Sequence, residues 1–153
     1  MRSTLILLIM FSFSSTAAGC GRHYQMEAPA GFVKYQKRSK FEFITADGVR
    51  MKARDAKNYP KADLPFWVDA LKRHLAARGY ILKDDKCFQT TRGLNGCTEE
   101  FVLPLGAEDW TMSVTTFVVG DRVVIVEAAG PYERFAKVSA GVNAALRTFD
   151  PGP

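Results

Sequence analysis

The sequence predicts an α+β domain: an antiparallel sheet of about six strands, in the order β-β-α-β-β-β-β-α, covered by two helices. Three observations point there. Two pairs of alternating or Val-rich segments are joined by the tight-turn dipeptides Asp47-Gly48 and Gly120-Asp121. Two segments carry apolar residues at helical spacing. Both helical segments follow strands that short turns already link, so the sheet is antiparallel rather than doubly wound.

The elements follow in chain order. Phe41–Thr45 and Val49–Arg54 alternate as strands around Asp47-Gly48. A helix comes next. Asp63 can cap it, Pro65 sits in its first turn and Gly79 can end it. Leu64, Trp67, Val68, Leu71 and Leu75 form its apolar stripe. Tyr80–Gln89 and Cys97–Leu103 read as two further strands, with a turn at 90–96. Trp110–Val119 and Arg122–Ala129 are apolar at both alternating sets of positions, as central strands covered on two faces are. Gly120 suits the first central position of a type II′ turn. The final helix opens at Gly130-Pro131 and carries Phe135, Val138, Val142, Leu146 and Phe149 before Asp150-Pro151-Gly152 stops it.

The N-terminal segment is of another kind. Arg2 precedes the apolar run Leu5–Phe13, and Ala17-Ala18-Gly19-Cys20 follows a Ser/Thr-rich stretch. A charged start, a short apolar core and small residues make a secretory signal. The run is too short for the roughly 20 residues of a membrane-spanning helix. Ordinary cleavage after Ala18 or Gly19 is one reading. The other is that residues 17–20 form a lipobox: the segment resembles the signal of bacterial lipoproteins, although Ala17 stands where leucine is usual. That resemblance implies a diacylglyceryl thioether on Cys20 and an acylated new N-terminus. A single acyl chain binds membranes marginally, and several give a durable anchor. It also implies a palmitate-bearing protein held to the cell envelope, and Gly21 in place of Asp favours the outer membrane over the inner. The chain then divides into a signal (1–19), a lipid-anchored tether (20–39) and one globular domain (40–150). A coil from Gly21 to Ser39 would reach roughly 25 Å on average.

The chain has three cysteines. With Cys20 lipidated, Cys87 and Cys97 remain as an even pair in an oxidising compartment. A disulfide across their turn is expected; two free buried thiols are the alternative. His23 and His74 have no ligand spacing around the cysteines, so neither a metal nor a cofactor is expected.

Charge is unevenly placed. Residues 34–86 hold 14 Lys/Arg against 7 Asp/Glu, whereas residues 87–153 hold 5 against 8. Lys34, Lys37, Arg38 and Lys40 cluster beside the tether. Arg50, Lys52 and Arg54 alternate and so share one face of a strand. They mark a basic contact face for an envelope protein or anionic lipid; a merely solvated strand face is the plainer reading. Nucleic acid is not an expected partner of an exported lipoprotein.

Catalytic signatures are missing from the sequence: it has no G-x-S-x-G, no H-E-x-x-H and no phosphate-cradling glycine loop. In the acid pairs Asp84-Asp85, Glu99-Glu100 and Glu108-Asp109, neighbours on a strand face opposite ways, so they are poor general acid/base partners; they are expected to be solvated loop and edge charges. Glu127 stands out in a Val-rich strand. It is either a partly buried carboxylate with a raised pKa or a residue at the strand's end. Phe66 lies opposite the apolar stripe of its helix. It is either a contact residue or tucked under a preceding loop. The element order, with a terminal helix after a Val-rich hairpin, loosely resembles the PsbP-like fold over residues 40–150. That resemblance implies an accessory or binding role. The expectation is a non-catalytic exported binding domain; the alternative is a small exported enzyme or enzyme inhibitor with a cleft beside the sheet.

Overall fold

The structure, a computed structural model, describes residues 24–35 and 42–152. It is an α+β fold with seven strands: β1 (Val33–Lys34), β2 (Glu42–Ile44), β3 (Arg50–Lys57), β4 (Ile81–Gln89), β5 (Asn95–Leu105), β6 (Glu108–Val119) and β7 (Arg122–Pro131). Two helices, α1 (Leu64–Ala76) and α2 (Tyr132–Leu146), complete it. The strands form one antiparallel sheet in the order β1-β2-β3-β7-β6-β5-β4. The strand count exceeds the expected six by β1, which pairs with β2.

The turns work as their residues dictate. Gly48 takes φ +94° and Gly120 takes φ +60°, the latter as a type II′ turn requires. At the Asp47-Gly48 turn, the Thr45 hydroxyl also accepts the Val49 N–H at 2.9 Å. The carboxylate of Asp63 accepts the Phe66 N–H at 3.1 Å and caps α1. Pro131 falls at the cap of α2, one position ahead of the first turn where it was expected. A proline is harmless at either place, because no helical carbonyl there awaits its missing N–H.

The helices cover opposite faces of the sheet. Alternation along β6 explains how. Met112 and Val114 point to one side, where Leu71 and Leu75 of α1 pack on them together with Phe101, Tyr80 and Ile125. Phe117 points to the other, where Phe135, Val142 and Leu146 of α2 join Met51, Val124, Val126 and Ala128. Each fully buried Val, Leu, Phe or Met among them contributes about 2 kcal/mol. β6 is thus a central strand covered on both faces, as its apolar composition demands, and β7 is covered on its α2 face.

The segment expected to be a free tether differs. Tyr24 and Phe32 are buried in the α2-side core. The Tyr24 ring lies 5.8 Å from that of Phe149. Its hydroxyl donates to Asp55 at 3.0 Å, and Gln25 and Asp150 exchange backbone hydrogen bonds of 2.9 and 2.8 Å. The domain therefore includes Tyr24–Tyr35 besides the span expected to start at 40. Two aromatic rings gain more by leaving water than a coil gains in freedom. The signal segment, Cys20 and His23 lie outside the described residues. Among the described residues, no helix is long and apolar enough to cross a membrane.

Candidate functional site

α1 lies over β4, β5 and β6 and leaves the β3–β7 side of the same face open. Register fixes what stands there. Arg50, Lys52 and Arg54 on β3 lie opposite Ala129, Glu127 and Ile125 on β7. Those in turn face Met112, Val114 and Thr116 on β6. The result is a trough running beside the helix. One hollow, of about 580 Å³, is lined by Glu42, Gly48, Arg50, Lys52, Trp110, Met112, Glu127 and Ala129. A second, of about 340 Å³, is lined by Arg54, Thr116, Val123 and Ile125 of the sheet and by Trp67, Ala70, Leu71 and His74 of α1.

The three basic residues expected on one face are there, and Glu127 stands among them. Its position is the interior of β7, not the strand's end. Arg54 Nη2 and Nε reach Glu127 Oε1 at 2.9 and 3.0 Å, and Lys52 Nζ reaches Oε2 at 3.5 Å. The Glu127 side chain is 12% exposed, against 59% and 55% for Lys52 and Arg54. The carboxylate therefore sits on the trough floor with two cations leaning over it. This pairing offsets much of the positive field that the sequence pattern suggests. Arg50 is held differently, its guanidinium 5.5 Å from the centre of the Tyr35 ring.

Beneath α1 lies a buried acid, Glu99. Glu99 was expected among solvated acids, yet it is 1% exposed. Its neighbours in alternation, Cys97 and Phe101, both point inward, and strand parity obliges Glu99 to do the same. That parity was the available signal. Neither carboxyl oxygen has a hydrogen-bond partner among the described residues, and the same holds for the Thr116 hydroxyl. Burial pushes the Glu99 pKa up from 4.5 to about 7, against a smaller lowering by Lys72 and with a further push from Asp85. Lys72 itself is ion-paired to Asp85, which stands in register opposite Glu99.

Cys87 and Cys97 face each other in register and form the expected disulfide, with an S–S distance of 1.98 Å. It ties edge strand β4 to β5. Phe66 is 50% exposed and meets Trp67 edge-on at 5.4 Å, so it is not tucked away. His74 is exposed on α1 at the smaller hollow. Among the described residues, no three His, Cys, Asp or Glu side chains are grouped to hold a metal ion.

No family model matches the chain, and no curated protein matches it in sequence. Its fold is nevertheless shared. LpqN of Mycobacterium tuberculosis, described as involved in cell envelope biogenesis, superposes with a TM-score of 0.68 at 11% identity. The likeness covers 85% of this chain and 83% of LpqN. Cyanobacterial PsbP (CyanoP) from Synechocystis sp. PCC 6803 gives 0.57 at 14% identity, covering 90% and 97%. PA94 from Pseudomonas aeruginosa, a protein of unknown function and putative regulator, gives 0.52 at 12%, covering 80% and 98%. The likeness to the PsbP fold read from the element order is thus borne out, and the fold is what this chain has in common with all three.

Proposed function

We propose that this chain is an exported envelope lipoprotein, anchored through Cys20, that acts by binding rather than by catalysis, with the trough beside α1 as its binding site. One observation carries the reading. Trp110, Met112 and Ala129 give the larger hollow an apolar floor that α1 leaves uncovered, while Arg50, Lys52, Glu42 and Glu127 ring it with charge. An apolar concavity with a few placed polar groups is how small-ligand and peptide sites are built. The signal ending at Cys20 and the part of LpqN in cell envelope biogenesis support the address. The outer membrane is the preferred membrane, since Gly21 follows Cys20. An envelope component with an apolar part and a charged part fits the trough better than a purely anionic surface, because Glu127 already answers Lys52 and Arg54.

The alternative, a small exported enzyme or inhibitor, finds its best residue in Glu99. That carboxyl has a pKa suited to proton transfer, but it lines neither hollow and lies sealed under α1.

The test is photo-crosslinking from position 112 in intact cells. A crosslinked product that Ala129→Trp abolishes supports the trough. The same product in both forms, or none in either, overturns it. Labelling with a palmitate analogue tests the anchor: the tag should appear on the native chain and vanish in Cys20→Ala.

A further inference from the structure

One end of the sheet carries a surface that the trough does not use. There β3 ends at Lys57 and β6 turns into β7. The loop 58–62 then leads β3 into α1. Asn58 sets its shape. This side chain is 7% exposed; its amide nitrogen donates to the Ala62 carbonyl at 3.0 Å. Its oxygen accepts the Ala62 N–H at 3.1 Å and Trp67 Nε1 at 2.8 Å. Its backbone N–H donates to the Asp121 carbonyl at 2.7 Å. So tied, the loop holds Tyr59 outward at 79% exposure, between the exposed Lys57 and Lys61. Phe66, in the first turn of α1, is exposed close by in sequence.

Outward aromatic rings flanked by lysines suit a membrane interface. A tyrosine places its ring at headgroup depth with its hydroxyl in water, and lysines are drawn to anionic headgroups. The length of chain ahead of Tyr24 says which end can reach one. Tyr24 belongs to this same end: its hydroxyl binds Asp55, two residues before Lys57. Gln25 is bridged to Asp150, which pairs with Arg92 in the β4–β5 turn. Four peptide steps separate Tyr24 from Cys20, a reach of at most about 14 Å. The opposite end, at the β5–β6 turn, lies a full β6 length away, roughly 38 Å.

We propose that the 58–62 loop, through Tyr59, Lys57 and Lys61, is a second membrane contact that docks on the anionic phospholipid surface holding Cys20. The proposal rests on the lipid-anchor reading above. Docking there stands the sheet on its loop end. The larger hollow, with Trp110 at the far end of β6, then stands clear of the bilayer.

The experiment uses the full acylated chain on vesicles of mixed phosphatidylglycerol and phosphatidylcholine, with and without brominated acyl chains. Tyr59→Trp is compared with Leu105→Trp at the opposite end, each against the native emission of Trp67 and Trp110. The expected result is a blue-shifted Tyr59→Trp signal that brominated lipid quenches, an unquenched Leu105→Trp signal, and loss of quenching when Lys57→Ala and Lys61→Ala are added. Amide exchange on the unmutated chain supplies a second readout: residues 58–62 slow on vesicles while residues 105–108 do not. An acylated, vesicle-bound chain with no quenching at position 59 and no slowing at 58–62 overturns the docking surface. Mass analysis of the N-terminal peptide keeps the two ideas apart. A chain bare at Cys20 that still shows quenching at position 59 overturns the anchor alone; a bare and unquenched chain overturns both.

Discussion

Glu99 on β5 stands in register opposite Asp85 on β4, and Lys72 of α1 closes on Asp85 rather than on Glu99. The buried carboxyl is left to manage its own charge, and it does so by keeping its proton. Folded, it titrates at about 7; unfolded, at its ordinary 4.5. Between those values the folded state binds more protons than the unfolded one. Stability contributed by the protonated form is therefore complete below pH 4.5, falls through the window from 4.5 to 7, and is lost above it. The loss amounts to about 3 kcal/mol. Denaturant titrations should show a less stable protein at pH 8 than at pH 5. Glu99→Gln should flatten that dependence and be the more stable form at pH 8.

Asp55 gathers three donors: the Tyr24 hydroxyl at 3.0 Å, Arg122 Nε at 2.9 Å and Arg122 Nη2 at 2.6 Å. Its side chain is 9% exposed. Asp55→Ala should cost about 2–3 kcal/mol, since it removes a buried carboxylate together with its bonds from Tyr24 and Arg122. Limited proteolysis should then cut near Tyr24 at enzyme concentrations that spare the unmutated chain. Equal resistance would mean that the Tyr24–Phe149 ring contact, the Gln25–Asp150 bridge and the burial of Phe32 hold this segment without Asp55.

Gly96 has no room for a side chain. A Cβ there would lie 2.3 Å from Cε1 and 2.8 Å from Cδ1 of Phe117. Phe117 is fully buried and cannot yield, because its ring stacks on Phe149 at 4.4 Å and meets Phe88 edge-on. Gly96→Ala should cost about 2–3 kcal/mol, visible as a lowered denaturation midpoint with an unchanged slope.

Reducing Cys87–Cys97 reopens a short loop across the β4–β5 hairpin. In the chain-entropy account this removes about 2.5–3 kcal/mol. Thermal melts with and without reductant and alkylation should differ accordingly. The first amides to exchange faster should be those of β4, which has only β5 beside it.

Much of this molecule is legible in its residues because the signals are local. The Asp63 cap, the Leu71–Leu75 stripe and the Gly120 turn each decide their element within a few positions. Tyr24–Tyr35 was not legible for the opposite reason. Its order comes from Phe149, Asp150 and Asp55, which lie far along the chain and leave no periodicity nearby. The site divides likewise. Arg50, Lys52 and Arg54 share a face by alternation alone. That Glu127 would lie among them needs the β3–β7 register, which no short-range pattern encodes. Glu99 shares its parity with the buried Cys97 and Phe101, but a carboxylate's charge ordinarily opposes burial, so its residue type and its place on the strand point opposite ways.

The place of β7 in the sheet has a consequence in time. β4, β5, β6 and β7 follow one another as a meander, each beside its predecessor, so they can assemble as soon as they are present. β3 has no such neighbour ahead of it in the chain except β2; its broad side awaits β7, pairing residues as distant as Arg50 and Ala129. In a chain that emerges N-terminus first, β3 therefore keeps an unmatched edge until β7 has been delivered. For that interval, the alternating charges of Arg50, Lys52 and Arg54 guard it against pairing with the wrong strand.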